Sequence, residues 1–194
     1  EAFGIYYGKT EPPTFYAPEK VDRFSVAGHP IDRVMAVAGP PEKGYIMVRQ
    51  DADPGPGTVF HCSVSRFSSE SSLSSFNAVT RVNPPGFDDD VMDFSGAILA
   101  DGNGLFLFEE DDPVSGYSRI WWRVFDFDAK SFETLPQDLA PQSPGLDFTG
   151  PVLAMRADGL AVALCRTTGT ASTLHSNVFD PASRSFDTGH STIV

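Results

Sequence analysis

The sequence predicts an all-β chain: a β-propeller or propeller-like array of four-stranded antiparallel units, about three full and one partial, with a β-sandwich as the alternative. Three observations lead there. A hairpin pattern recurs three times along the 194 residues, a strand-turn-strand pattern follows each copy, and no stretch carries the 3.6-residue periodicity of a helix.

The first element is the inner hairpin. AVAGPPEKGYIMVR (36–49), LADGNGLFLFEE (99–110) and MRADGLAVALCR (155–166) each read as an apolar run, a polar glycine turn and a second apolar run. Gly44, Gly104 and Gly159 stand just before the second run, where a turn calls for the positive φ that glycine adopts without steric cost. The runs Tyr45–Met47, Leu105–Leu107 and Leu160–Val162 then become equivalent strands.

The second element is the outer pair. SRFSSESSLSSF (65–76), RVFDFDAKSF (123–132) and NVFDPASRSF (177–186) each place an apolar or aromatic pair before a polar turn and a closing Phe. TFYAPEKVDRF (14–24) reads as an earlier copy without its hairpin. Phe15, Phe67, Phe125 and Phe179 recur at intervals of roughly 55 residues, a four-stranded blade with long loops. The expected divisions are units at about 28–88, 89–146 and 147–190, with a partial unit made of 1–27 and 191–194. Within units, QDADPGPGT (50–58), EEDDPVSGYS (109–118) and RTTGTAST (166–173) read as exposed loops. Between units, the Pro- and Gly-bearing segments 81–94 and 136–148 carry the chain from one sheet to the next.

The two ends complement each other. STIV (191–194) stands where each earlier unit begins its first inner strand, and 3–8 with 14–24 read as the other strands of that unit. About one hairpin is missing from it. The expectation is therefore a larger propeller whose remaining strands come from another segment or a second chain, because an unpaired sheet edge needs a partner.

The endings VFDFDAKSF (124–132) and VFDPASRSF (178–186) resemble the outer strands of kelch-like and galactose-oxidase-like blades, where an aspartate-containing turn joins the last two strands. The resemblance implies the propeller fold. It carries over no copper chemistry, because no matching set of tyrosines, histidines and modified cysteine is present.

Composition narrows the function. A net charge of −12 repels phosphate backbones and anionic lipid headgroups, which argues against nucleic acid as a partner. No apolar run approaches the roughly 18 residues of a membrane-spanning helix, so membrane insertion is not expected. The first residue is Glu1, consistent with a removed leader or propeptide or with a longer chain, and a secreted or extracellular setting is favoured without being fixed. Cys62 and Cys165 fall at different strand positions of non-neighbouring units, so free buried thiols rather than a disulfide are expected. His29, His61, His175 and His190 have no metal-binding spacing, and neither a metal nor a cofactor is expected.

Three groups carry potential chemistry. The acidic cluster Asp88, Asp89, Asp90 and Asp93, and the run Glu109, Glu110, Asp111 and Asp112, offer oxygen ligands for calcium or paired carboxylates for glycoside hydrolysis; a solvated charged face is the plainer reading. Tyr117, Trp121 and Trp122 form the densest aromatic patch. Strand alternation sets Ile120, Trp122 and Val124 on one face and Trp121, Arg123 and Phe125 on the other, so both Trp residues suit packing between sheets while Tyr117 at the loop edge faces a ligand. No nucleophile motif, phosphate loop or dinucleotide fingerprint occurs. The expected function is a non-enzymatic recognition or assembly module binding a protein surface or a carbohydrate through its loops. The alternatives are a carbohydrate-active enzyme using loop carboxylates and a structural subunit of a larger propeller assembly.

Overall fold

A computed structural model describes residues 3–4, 7–8, 14–15, 19–20, 30–39, 43–51, 60–68, 79–84, 90–111, 116–140, 145–156, 158–168, 172–187 and 191–193. Among these residues every regular element is a strand. In chain order they are β1 (Phe3–Gly4), β2 (Tyr7–Gly8), β3 (Thr14–Phe15), β4 (Glu19–Lys20), β5 (Ile31–Gly39), β6 (Lys43–Asp51), β7 (Phe60–Ser68), β8 (Thr80–Arg81) and β9 (Val91–Ile98). There follow β10 (Gly104–Asp111), β11 (Ser118–Asp126), β12 (Ser131–Phe132), β13 (Gln137–Asp138), β14 (Phe148–Met155), β15 (Ala161–Thr167), β16 (Leu174–Asp180), β17 (Ser185–Phe186) and β18 (Ser191–Ile193).

Three antiparallel sheets repeat one topology. The first runs β5-β6-β7-β8, the second β9-β10-β11-β12 with β13 also on β11, and the third β14-β15-β16-β17 with β18 also on β16. Gly44 pairs with Phe67, Gly104 with Phe125 and Ala161 with Phe179, so the three marker phenylalanines occupy one position. The outer edge repeats as closely: Val64 pairs with Thr80, Trp122 with Gln137 and Ser176 with Ser191.

The turns repeat because their residues do. Gly102 (φ +86°) and Gly159 (φ +87°) each donate their N–H to the carbonyl three residues back, Leu99 and Arg156. Asp101 and Asp158 accept from the N–H two residues on. The Asp126 and Asp180 carboxylates accept from turn N–H groups in the outer hairpins, and Lys130 and Arg184 take left-handed φ values of 60° and 52°. The glycine matched to Gly159 is therefore Gly102, not Gly104. Neither Gly44 nor Gly104 has positive φ; their lack of a side chain makes room for rings. A Cβ on Gly44 would lie 2.1 Å from the Phe67 ring, and one on Gly104 2.5 Å from that of Phe106.

Two sequence expectations differ at the ends and loops. Of the segment 14–24 only 14–15 and 19–20 lie within the described residues, as β3 and β4, which pair with β2 and β1. Ser191–Ile193 lies on β16, where β8 and β13 lie on their own third strands, and not at the start of a further inner strand. The strands also run through Asp51, Asp111 and Thr167, which puts Glu109 and Glu110 inside a sheet and buries both.

Two cores form between the sheets, because strand alternation gives each sheet two apolar faces. Leu105, Leu107, Ile120, Trp122 and Val124 of the second sheet meet Phe148, Ala161, Ala163, Cys165, Phe179 and Phe186 of the third. Phe94, Phe106, Phe108 and Phe125 on its other face meet Tyr45, Met47, Cys62 and Val64 of the first. β9 packs against both β5 and β14, so the first strands of the three sheets stand side by side. At their ends Val37–Gly39, Gly96–Ile98 and Met155–Arg156 line a cleft of about 340 Å³.

Candidate functional site at the polar end of the inner strands

The opposite end of the same strands is polar, and the repeat explains how its residues meet. Each inner strand carries a register irregularity within its first few residues, between Ile31 and Arg33, opposite Glu109 and Glu110, and between Thr149 and Val152. Such bulges re-aim side chains at strand ends. Corresponding positions then hold Arg33, Asp93 and Gly150 on the first strands, and Arg49, Glu109 and Arg166 on the second.

Opposite characters in neighbouring units interlock. Arg33 pairs with Asp93 and lies 5.1 Å from the Phe94 ring centroid. Arg49 forks onto Asp32, donates to the carbonyls of Val91 (3.2 Å) and Met92, and stacks 4.4 Å from Phe60. Glu109 accepts a 2.8 Å bond from Gly150 N–H, whose φ of +65° turns that donor toward the second sheet. One step along, Ser95 Oγ accepts from Leu153 N–H at 3.0 Å.

Asp93 and Glu109 are direct cross-strand partners, which puts two carboxylates on one face. Their environments differ. Asp93 has the Arg33 guanidinium, whereas burial pushes the Glu109 carboxyl above its ordinary 4.5, with Asp93 and Asp111 adding to the rise and the Gly150 N–H opposing it. The folded chain thus keeps a proton on Glu109 at pH values where the unfolded chain has released it. Stability from this group is complete below 4.5 and falls as pH rises through the folded pKa. Glu109→Gln keeps an acceptor for Gly150 and removes the titration, so thermal unfolding across the acidic-to-neutral range is expected to show a flatter pH dependence and a higher midpoint at neutral pH. An unchanged slope would contradict the assignment.

The sequence-predicted residues divide between this end and the cores. Asp93 lies in the site, and Asp90 beside it accepts from Phe60 N–H at 2.7 Å. Asp88, Asp89 and Asp112 lie outside the described residues. Tyr117 is 40% exposed at the same end, next to Ser118, whose N–H donates to Asp147 and whose hydroxyl donates to Asp111. Strand spacings place Tyr117 roughly 14 Å from Asp93, two strands across and three residues beyond its row. Trp121 packs, half-buried, toward the first sheet, and Trp122 is buried against Phe179 and Phe186. Neither Trp belongs to the polar end. Arg33, Arg49 and Gly150 were missed by sequence reasoning, although counting from the marker pairs Gly44–Phe67 and Gly104–Phe125 finds the positions they share.

Cys62 and Cys165 are buried free thiols, as expected. Burial raises both, Cys165 to about 12, with nearby Glu109 contributing. Among the described residues no cluster of three or more His, Cys, Asp or Glu side chains is arranged to hold a metal, and no helix is long and apolar enough to cross a membrane.

No protein-family model and no curated protein matches the sequence. Among solved structures, an endo-arabinase from Bacteroides thetaiotaomicron VPI-5482 superposes with a TM-score of 0.50 at 16% identity, over 94% of this chain and 69% of that one. The likeness is one of all-β fold.

Proposed function

We propose that the chain is a carbohydrate-recognition module whose three sheets stand radially as propeller blades of the kelch-like or galactose-oxidase-like kind, and that the polar ends of its inner strands form the binding surface. The carrying observation is the combination at one end of ion-paired Arg33–Asp93, bonded carboxylates and exposed Tyr117. Planar guanidinium and carboxylate groups match adjacent sugar hydroxyls, and a tyrosine ring supplies an apolar face for a pyranose or furanose while its hydroxyl stays wet. The span from Asp93 to Tyr117 suits a short oligosaccharide rather than a single sugar. The endo-arabinase neighbour makes arabinan oligosaccharides the first ligands to try.

Recognition is favoured over turnover because, among the described residues, five carboxylates at this end already have partners: Asp32 has Arg49, Asp90 the Phe60 N–H, Asp93 Arg33, Glu109 the Gly150 N–H, and Asp147 the Ser118 N–H. Asp93 and Glu109 nevertheless support a second reading, glycoside hydrolysis, since a carboxyl with a raised pKa opposite an ion-paired one is the division of labour such chemistry needs. Calorimetric titration with arabino-, xylo- and galacto-oligosaccharides, alongside assay of new reducing ends, separates the two. The expected result is binding without turnover, weakened about tenfold (~1.4 kcal/mol) by Tyr117→Ala. Reducing ends that appear with wild type and vanish with Glu109→Gln would replace this reading with the hydrolytic one.

A further inference from the structure

The two contacts between neighbouring sheets have alike outer edges, built around one residue that differs. Between the first and second sheets, Arg123 donates to the carbonyls of Val82 at 2.7 Å and Thr134 at 2.9 Å, with its guanidinium 3.9 Å from the Phe132 ring. Between the second and third sheets the register puts Asn177 in that position, two residues before Phe179 as Arg123 stands two before Phe125. The surroundings repeat. Leu139 takes the place of Val82 and Phe186 that of Phe132, each ring edge-on to its marker phenylalanine, at 5.2 Å for Phe186 and 5.1 Å for Phe132. Asn177 Nδ2 reaches the carbonyls of Leu139 at 3.2 Å and Asp187 at 3.3 Å, and the shorter side chain ends there. A cavity of about 250 Å³ remains, whose walls include Leu139, Phe186, Trp122, Gln137, Asp138 and Asp187.

The character of the wall changes with the loss of the arginine. The position of Asp138 is held by a second cation, Arg81, in the first contact. Asp138 is engaged, its Oδ2 by Arg119 and its Oδ1 by the Ala140 N–H at 2.9 Å. Asp187 uses one oxygen for the Val178 N–H at 2.7 Å, and its other oxygen has no partner among the described residues. Asn177 is fully buried, and its Oδ1 has no hydrogen-bond partner. An orphan acceptor of this kind is uncommon inside proteins and adds an unneutralised dipole beside the cavity. We propose that the cavity binds an alkylguanidinium ligand, which brings from outside the group that Arg123 supplies from within the chain at the first contact. The cation lies over the Phe186 ring as that of Arg123 lies over Phe132, donates to the second lone pair of the Leu139 carbonyl, and is neutralised by Asp187. A planar fork of donors suits these acceptors better than a compact ammonium does. The site is separate from the polar end of the inner strands and does not depend on carbohydrate recognition there.

The test is a titration of the whole labelled chain with agmatine, followed by magnetic resonance at the Trp122 indole N–H and the amides of Gln137, Ser185 and Asp187. Saturable shifts are expected there, with the neutral isostere n-butylurea producing none. Asp187→Asn keeps an acceptor for the Val178 N–H and removes the charge, and is expected to weaken agmatine about tenfold. Asn177→Arg places the chain's own guanidinium in the cavity. It is expected to abolish agmatine binding while the unfolding midpoint stays level or rises. The proposal is overturned by the absence of saturable shifts, by n-butylurea binding as tightly as agmatine, or by unchanged affinity in either variant. An Asn177→Arg chain that fails to fold, judged by circular dichroism, also contradicts it, because the cavity must hold that group.

Discussion

Trp122→Ala is expected to lower stability by about 3–5 kcal/mol, the range for deleting a large buried aromatic. Trp122 projects from β11 into the core between the second and third sheets, edge-on to Phe179 at 6.1 Å and Phe186 at 5.4 Å. Those two rings also pack against each other at 5.2 Å, so truncation removes the cover from a phenylalanine pair that spans β16 and β17. The neighbouring strands are held by their own ladders and cannot collapse far into the space, which puts the cost toward the upper part of the range. In thermal unfolding this corresponds to a drop of roughly 10 °C, at about 2–4 °C per kcal/mol for a chain of this length. A change under about 1 kcal/mol would mean that the two sheets do not meet at this residue.

Arg123→Ala is the second large loss expected, about 2–4 kcal/mol. The buried guanidinium donates to the carbonyls of Val82 (2.7 Å) and Thr134 (2.9 Å) and lies 3.9 Å from the Phe132 ring. Burial lowers its pKa to about 10, still well above neutral, so the charge is kept. Removing it strands two carbonyls and uncovers a ring. Arg123→Lys is expected to recover only part of the loss, since an ammonium cannot present the planar fork that reaches both acceptors. Denaturant titration of both variants checks the order; Lys equal to Arg would argue against the fork. The contact also belongs to the repeat. At the matching position Asn177 donates to the Leu139 carbonyl at 3.2 Å, and Leu139 bears the same relation to β11 as Val82 does to β7.

The parts of the fold legible in the sequence are those written locally. The outer hairpins could be read because Asp126 and Asp180 form their turn bonds within three residues, and the split of Ile120, Trp122 and Val124 from Trp121, Arg123 and Phe125 follows from strand alternation. The glycine alignment slipped by two residues because a turn glycine and a packing glycine look alike in a string. Gly102 is needed for its φ and Gly104 for the ring beside it, a distinction that depends on Phe106 folding back over its own strand. Glu109 and Glu110 read as loop because consecutive acidic residues suggest water. Glu109 is tolerated inside because the donor it needs, Gly150 N–H, arrives from another sheet 41 residues later. The site was only partly visible for the same reason: Asp93 could be singled out by its charge, but Arg33 and Gly150 become part of it through contacts between units.

The central claim, that the polar end of the inner strands is the recognition surface, is tested most directly by amide chemical-shift mapping of the labelled chain during titration with an arabino-oligosaccharide series. The account predicts saturable shifts at Arg33, Asp93, Glu109, Tyr117 and Gly150, with the turns at Gly102, Lys130, Gly159 and Arg184 at the far end unmoved. Shifts concentrated at those turns, or no shift with any oligosaccharide of the series, would contradict it.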